Sequence, residues 1–203
     1  MKRSFNALVV SGALLGLAAC ASPQIAYHTL VSPTPPVGAF PADAPFVIDV
    51  LPVGVPAQLD MSQVVVRQDN SRVAVLDNDR WLSPLGDELH TALASQIAHQ
   101  SGAQDISGLV RTEGTPAIRI LIQIRRFDSW PGNAVSLDAD WTLSTKRDGR
   151  RVSLLCSSRL TQRAAGDYTQ IFPAWQDVLT QMSAQIAQTA RRWSENTAAP
   201  CPN

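Results

Sequence analysis

The sequence predicts an α+β fold, with a mostly antiparallel sheet and two helices packed on one of its faces, in a single domain. Apolar and polar residues alternate over 118–124 and again over 135–143, which is typical of half-buried strands. Two other segments, 84–99 and 173–193, repeat apolar residues every three or four positions, as amphipathic helices do. A chain of 203 residues with 45% hydrophobic content suits one core, and the order strands, helix, strands, helix favours a layered domain.

The predicted strands are short apolar runs bounded by turn residues. One apolar strand is expected within 45–56, and "QVVVRQ" and "RVAVLD" form a hairpin around "DNS" at 69–71. Three longer strands follow with short turns between them, the last one after the turn "RDGR" at 147–150, which indicates an antiparallel meander. The side chains predicted to face inward are Ile118, Ile120, Ile122, Ile124, Val135, Leu137, Ala139, Trp141 and Leu143.

Both predicted helices carry one apolar stripe. The first runs from about Pro84 to His99, with Gly102 near its C-cap, and the second runs from about Pro173 to Trp193. The two stripes are Leu85, Leu89, Leu93 and Ile97, and Trp175, Val178, Leu179, Met182, Ile186 and Trp193. The residues of the second helix expected to face water are Gln176, Gln181, Gln185 and Arg192.

The segment "DNDRWLSPLGDEL" at 77–89 concentrates acidic residues and raises the question of a catalytic or metal site. A metal site would need the spacing of a calcium loop with its closing glutamate, or a histidine at ligand distance, and the segment has neither. The segment is therefore interpreted as the start of the first helix, and no metal or other cofactor is predicted.

In that interpretation Ser83 is the N-cap and Pro84 is the first helical residue. Asp87 and Glu88 then lie in the first turn, where each interacts with the positive end of the helix dipole by about 0.3 to 1 kcal/mol. The remaining residues are assigned to a turn (77–79) and to apolar packing beneath the helix (Trp81 and Leu82).

Composition and motifs argue against two classes of function. The 17 basic and 17 acidic residues cancel, so the chain lacks the broad positive field that nucleic-acid binding needs. The sequence contains no G-x-S-x-G, no H-E-x-x-H and no glycine-rich phosphate loop, and His90 and His99 are half a turn out of phase on one helix. An enzyme is therefore not expected.

Two groups of arginines, within 119–126 and 147–151, have two interpretations. They could contact acidic lipid headgroups or an acidic partner, or they could be solvated strand edges and turns, which is the commoner case.

The N-terminus has the layout of a signal peptide. Lys2 and Arg3 precede an apolar run over 7–19 that is too short to span a bilayer comfortably, and the run closes in "LAAC" at Cys20. This motif resembles the bacterial lipobox, which implies cleavage before Cys20 and acylation of that cysteine. A plain secretory signal with an incidental cysteine is the alternative. The two residues after Cys20 include no aspartate, and by the sorting rule for such lipoproteins this implies the outer membrane.

The chain is therefore expected to have three parts. A signal peptide at 1–19 precedes a lipidated N-terminus at 20–45 with a short strand and a proline-rich spacer, and an α+β periplasmic domain occupies 46–203. The spacer, "SPTPPVGAFPADAP" at 32–45, is expected to be extended and to hold the domain off the membrane.

Two stretches carry a resemblance to a known family: "AYHTLVSP" at 26–33 and "VGVPAQLDMSQVVVRQDNSRVAVLDNDRWLSPLGDELHTALASQI" at 53–97. A short strand, a Val-Pro...Leu-Asp turn, "QVVVR" and an Asn-x-Arg-Trp element before a helix resemble, in this order, the PqiC family of ABC-transport auxiliary lipoproteins. The structural motif is formed by Arg80, Trp81, Ser83 and Pro84. The resemblance implies a non-enzymatic lipoprotein, anchored at the periplasmic face of the outer membrane, that works with MCE-domain proteins in lipid transport and envelope integrity.

The turn that presents "VPAQLD" is the predicted partner contact, because its apolar residues are expected to be exposed beside Pro56. The contact residues are Val53, Val55, Pro56, Leu59 and Asp60. The expected partner is an MCE-domain protein that spans the periplasm, and self-association through this face or a strand edge is also expected. The alternative is a free-standing periplasmic lipoprotein that binds a lipid or another small apolar ligand under its two helices.

Two cysteines remain after the predicted acylation of Cys20. Cys156 lies on the inward face of its strand, which suits a buried free thiol as well as a disulfide, whereas Cys201 lies in the polar tail "TAAPCPN". An unpaired thiol there would be exposed to an oxidising compartment, so a disulfide between Cys156 and Cys201 is predicted.

Overall fold

The computed structural model describes residues 24–33, 44–110 and 114–202. The predicted lipidation site Cys20 and the spacer residues 34–43 lie outside these ranges, so both stay predictions. None of the helices in the described ranges is long and apolar enough to cross a membrane.

The described ranges contain seven strands and two helices. In chain order they are β1 (Ala26–His28), β2 (Val47–Val50), β3 (Gln63–Arg67), β4 (Val73–Trp81), α1 (Leu85–Ser101), β5 (Ala117–Trp130), β6 (Ala134–Arg147), β7 (Arg150–Arg163) and α2 (Ile171–Glu195), the last preceded by a single 3-10 turn over Tyr168–Gln170. The predicted α+β class with one domain is confirmed.

The larger sheet has the order β2-β5-β6-β7 and contains the predicted antiparallel meander. Its nine side chains predicted to face inward are all buried, because the alternation of apolar residues matches the period of the strand. A register shift between Ile124 and Arg126 interrupts this alternation. As a result Arg125 and Arg126 both face solvent before Phe127 returns to the core.

The smaller sheet has the order β1-β4-β3, so the domain contains two sheets where the sequence predicted one. The β3–β4 hairpin is present as predicted, whereas β1 and β2 each join their sheet as a parallel strand. β1 and the adjoining Leu30, which is fully buried, belong to the folded domain. The short strand expected in the N-terminal part at 20–45 is therefore packed on the domain expected at 46–203.

The helices cover the core on one side of the larger sheet. α2 packs against β5, β6 and β7, and α1 packs beside α2 and against β2. All predicted stripe residues of both helices are buried. Trp175 stacks on Phe127 with ring centroids 3.5 Å apart, and its indole nitrogen donates to Ser129 Oγ over 2.9 Å, so this large side chain is packed and its polar atom is satisfied.

The C-terminal tail is fastened to the sheet by a disulfide between Cys156 of β7 and Cys201, whose Cα atoms are 5.5 Å apart. Trp193 Nε1 also donates to the carbonyl of Thr197, 3.1 Å away. The tail after α2 thus folds back towards the edge strand β7, and Ala199 and Cys201 pack against the core.

Candidate functional site

A network of polar contacts lies where the N-terminal segment joins the domain, and we call this region the β1 end. β1 runs parallel to β4, with Ala26 opposite Asp79 and His28 opposite Trp81. The chain therefore enters the fold beside the last residues of β4 and the start of α1.

Glu88 clasps the N-terminal segment. It is only 4% exposed, and one of its carboxylate oxygens accepts hydrogen bonds of 2.9 Å from the Leu30 amide and the Thr29 hydroxyl. The other oxygen accepts a bond of 3.2 Å from Ser83 Oγ. Three donors thus satisfy a carboxylate that burial would otherwise penalise strongly.

Two glutamines extend this clasp along the next residues. Gln176 Nε2 of α2 donates to the carbonyls of Thr29 and Val31 over 3.1 and 3.4 Å. Gln96 Nε2 of α1 donates to Ser32 Oγ over 3.3 Å. The prediction that Gln176 faces water is therefore wrong, because the N-terminal segment lies over it.

His28 and Asp79 form a second connection at the β1 end. His28 Nε2 lies 2.8 Å from Asp79 Oδ1, and the imidazole stacks on Phe172 with centroids 3.4 Å apart and an interplanar angle of 8°. The Tyr168 hydroxyl donates to both Asp79 oxygens over 3.4 Å. The negative charge of Asp79, followed by loss of solvation, raises the pKa of the Tyr168 phenol above its ordinary value.

An irregularity in β4 brings Asp79 into this position. Val75 pairs with Val65 and Arg80 pairs with Gln63, so β4 advances five residues where β3 advances two. The extra residues include 77–79, which were predicted to form a turn and lie instead within the strand. A bulge of this kind re-aims side chains, and here it turns Asp79 inwards to His28.

The residues at the start of α1 differ in part from their predicted positions. The N-cap is Pro84 and the first helical residue is Leu85, so the assignment of Ser83 as N-cap is wrong by one position. Trp81 is buried as predicted, whereas Leu82 is 68% exposed and fills no space beneath the helix. Arg80 lies in β4, opposite Gln63.

The capping group comes from the predicted partner turn. Asp60 Oδ1 accepts the Gly86 amide over 3.1 Å, and the Met61 carbonyl accepts the Leu85 amide over 3.3 Å. These contacts satisfy amides of the first helical turn that no preceding residue of the helix can reach. Sequence reasoning placed a cap beside the helix and missed this one, which lies 26 residues away.

The rest of that turn is less exposed than predicted. Val53 is buried, and Val55 and Leu59 are half-buried against the core. Gly54 forms a parallel bridge with Gln123 on the edge of β5, and its amide donates to Ile122 over 3.0 Å. Hydrogen bonding to the sheet edge thus holds Val53 and Val55 inwards, while Pro56 and Asp60 remain at the surface.

The polar contacts of the β1 end fasten chain segments together. The imidazole of His28 is held between Asp79 and the ring of Phe172, and Asp79 is shared with Tyr168. Among the described residues, no group of three or more His, Cys, Asp or Glu side chains is placed to hold a metal ion.

The helical pattern alone contained a signal for Glu88. Leu85, Glu88, Leu89 and Ala92 share one face at helical spacing, and the other three are apolar. A carboxylate on a buried face needs donors nearby. Its partners at residues 29 and 30 are 58 and more positions away in sequence, so the pattern indicates a need for partners without identifying them.

Comparison with known proteins identifies the family. Residues 28–187 match the family model of the ABC-type transport auxiliary lipoprotein component, which extends the resemblance well into the second half of the chain. No functionally curated protein is similar enough to count as a match.

Two solved structures share the fold. One is a Xanthomonas campestris protein of the DUF330 family, 18% identical, with a TM-score of 0.62, which covers 87% of this chain and 99% of its own. The other is an uncharacterized protein, 20% identical, with a TM-score of 0.59, covering 82% of this chain and 98% of its own. These identities support the fold alone, whereas the family match covers more than half of the sequence. The chain therefore belongs to the family of ABC-type transport auxiliary lipoprotein components.

Proposed function

We propose that this chain is a non-enzymatic lipoprotein subunit of an MCE-type intermembrane lipid transport system, resembling PqiC, anchored at the periplasmic face of the outer membrane and supporting envelope integrity. The observation that carries the proposal is the family match over 28–187, which includes His28, all of α1 and most of α2.

The structure supports a short tether in this proposal. If Cys20 is acylated, only five residues separate it from Ala26, the first residue of β1. Such a segment reaches about 20 Å when fully extended. The β1 end would therefore be held close to the membrane surface, and the clasp at Glu88 would transmit the restraint of the anchor to the folded domain.

A free-standing ligand-binding lipoprotein is less well supported. Its ligand was expected beneath the two helices, and that space is filled by large side chains. Among the fully buried ones are Trp141, Trp175, Trp193, Leu89, Leu93 and Ile97. A ligand placed there would have to displace a close-packed core.

Two measurements in intact cells test the proposal. Cys20→Ala should leave the domain folded and move it from the membrane fraction to the soluble periplasm, because the anchor contributes nothing to the core. Affinity capture of the wild-type lipoprotein after chemical crosslinking should recover an MCE-domain protein, identified by mass spectrometry. Full retention of the Cys20→Ala variant in the membrane would refute the anchor, and capture without an MCE-domain protein would refute the partnership.

A further inference from the structure

The turn between β6 and β7 forms a strongly basic tip, which we call the hairpin end (residues 146–151). Asp148 and Gly149 both have positive φ angles, 48° and 75°, as a tight two-residue hairpin turn requires. Around them Lys146 pairs directly with Arg151, and Arg147 with Arg150. All four basic side chains are exposed.

This arrangement is unfavourable for the isolated sheet. Like charges directly opposite each other on an antiparallel pair are destabilising. Elsewhere the same sheet pairs three of its arginines with carboxylates at 2.9 to 3.0 Å: Arg119 with Asp49, Arg125 with Asp140, and Arg126 with Asp138. The four basic residues of the hairpin end form no such ion pair with a described carboxylate.

Only one of the four basic residues has a structural role in the fold. Arg147 donates to the carbonyl of Ser194 at the C-terminal end of α2, where a cation is favoured by the helix dipole. The side chains of Lys146, Arg150 and Arg151 make no ion pair or hydrogen bond within the described ranges of the chain. Three cations are therefore available to an external anionic group.

An exposed apolar residue, Leu109, lies beside these cations, and Val110 follows it in the chain. Leu109 and Val110 are 63% and 96% exposed. Leu109 lines a surface cleft of about 520 Å³ together with Ile106, Arg119, Lys146 and Arg151. Apolar residues bordered by arginines are typical of protein interfaces, where the apolar part excludes water and the charges select the partner.

The hairpin end and the β1 end lie at opposite ends of α2. Phe172, which stacks on His28, is the second residue of the helix, and Ser194, which binds Arg147, is the second from its end. The helix rises about 33 Å between these two residues. If the chain is anchored through β1, the hairpin end is free to point away from that membrane, which favours a protein over a lipid surface as its occupant.

We propose that the hairpin end is the docking surface for the partner component of the transport system, and that the partner presents an acidic patch with apolar residues beside it. This inference rests on the proposed function for the existence of the partner. It moves the expected contact away from the turn over 53–60, whose apolar residues serve the core.

The test places a photocrosslinking amino acid at Val110 of the full-length lipoprotein in intact cells, with an exposed position on α2, Gln188, as control. The expected result is an adduct from Val110 to the MCE-domain protein that capture of the wild type recovers, and no such adduct from Gln188. Lys146→Glu with Arg151→Glu should reduce the adduct at least about tenfold, because two of the three cations that line the cleft are reversed. The matched control, Arg159→Glu with Arg163→Glu, makes the same charge change on exposed residues of β7 and should leave the yield unchanged.

Each other result overturns the inference. A Val110 adduct with lipid would assign the hairpin end to a membrane surface. Equal yields from Val110 and Gln188, or equal losses in the two charge-reversed variants, would show that contact there is unspecific. Successful capture with no Val110 adduct would refute this docking surface and leave the proposed function standing, whereas capture that recovers no MCE-domain protein would refute both.

Discussion

The β1 end and the hairpin end differ in whether their polar side chains have partners within the fold. At the β1 end a buried carboxylate, Glu88, meets three donors, and Asp79 meets His28 and Tyr168. At the hairpin end Lys146 of β6 lies opposite Arg151 of the adjacent strand β7. Buried polar groups must be matched within the fold, whereas exposed charges can remain unmatched at small cost. The comparison indicates that the first region maintains the structure and that the second is available for binding.

The largest expected effect concerns the disulfide that joins the C-terminal tail to β7, the strand that follows the hairpin end. Replacing both cysteines, Cys156→Ala with Cys201→Ala, should lower the free energy of unfolding by about 4 kcal/mol, because the bridge closes a loop with a sequence separation of 45. Denaturant unfolding of the oxidised wild type and the double variant measures this difference. The exported wild type should contain no thiol that alkylates at 156 or 201, and two freely alkylated thiols would show that the bridge does not form.

The next effect separates Glu88 from its neighbour Asp87. Glu88→Ala removes the acceptor from three donors and should cost about 2 to 3 kcal/mol in the free energy of unfolding. Asp87→Ala is the matched control, because Asp87 is exposed in the same turn and should cost no more than about 1 kcal/mol. Amide exchange of Leu30 should accelerate in the first variant only. Equal losses in the two variants would mean that both acids act through the helix dipole, as the sequence suggested.

At the hairpin end a substitution should improve stability. Lys146→Glu places a carboxylate opposite Arg151 and should raise the free energy of unfolding by about 0.2 to 1 kcal/mol, since a like-charge pair becomes an opposite pair. The control is Arg126→Glu, which breaks the pair with Asp138 and should lower stability by a similar amount. A loss of stability in Lys146→Glu would indicate that Lys146 has a structural role after all. The gain should decline at high salt because the pair is exposed.

The smallest effect is a change of pKa at the β1 end. Asp79→Asn should lower the pKa of Tyr168 towards its ordinary value, because the charge of Asp79 is the main cause of the raised value. Asp167→Asn should lower it less, because Asp167 is the weakest of the causes. The pKa of Tyr168 is higher in the folded protein than in the unfolded chain. Its contribution to stability is therefore fully present below the unfolded-state pKa and is lost as the pH rises through the folded-state pKa. Absorbance titration of the tyrosinate band would reveal an unchanged pKa in Asp79→Asn if the contact were absent.

The parts of the fold that the sequence predicted well are those governed by local periodicity. The inward residues of β5 and β6 and the stripe of α2 follow directly from periods of two and 3.6. The N-cap, the capping role of Asp60 and the clasp at Glu88 were missed, because each depends on contacts between segments distant in sequence. The short strand β1 was expected within 20–45, but its place was not, because three residues are too few to show periodicity and the place is set by pairing with β4.

The sequence left two interpretations of the arginine groups open, and choosing between them required the strand register. Alternation showed that Arg119, Arg125 and Arg126 point outwards, but only the register revealed that each meets an aspartate of a neighbouring strand. The register likewise revealed that Lys146 and Arg151 face each other. Ordinary solvated pairing explains the first group, whereas in the second group only Arg147 makes a contact within the described part of the fold.

The central claim is that the β1 end lies close to the membrane and the hairpin end points away from it. The most direct test is to measure the distance of each end from the membrane. The acylated full-length protein, reconstituted in vesicles containing an acceptor lipid, would carry a donor dye at position 27 or, in a second sample, at position 110. Tyr27 is 61% exposed at the β1 end, and Val110 is 96% exposed and follows Leu109, which lines the cleft at the hairpin end, so both positions tolerate a label. The account predicts strong energy transfer from position 27 and weak transfer from position 110, since the ends are about 33 Å apart along α2. Equal transfer from both positions, or stronger transfer from position 110, would contradict it.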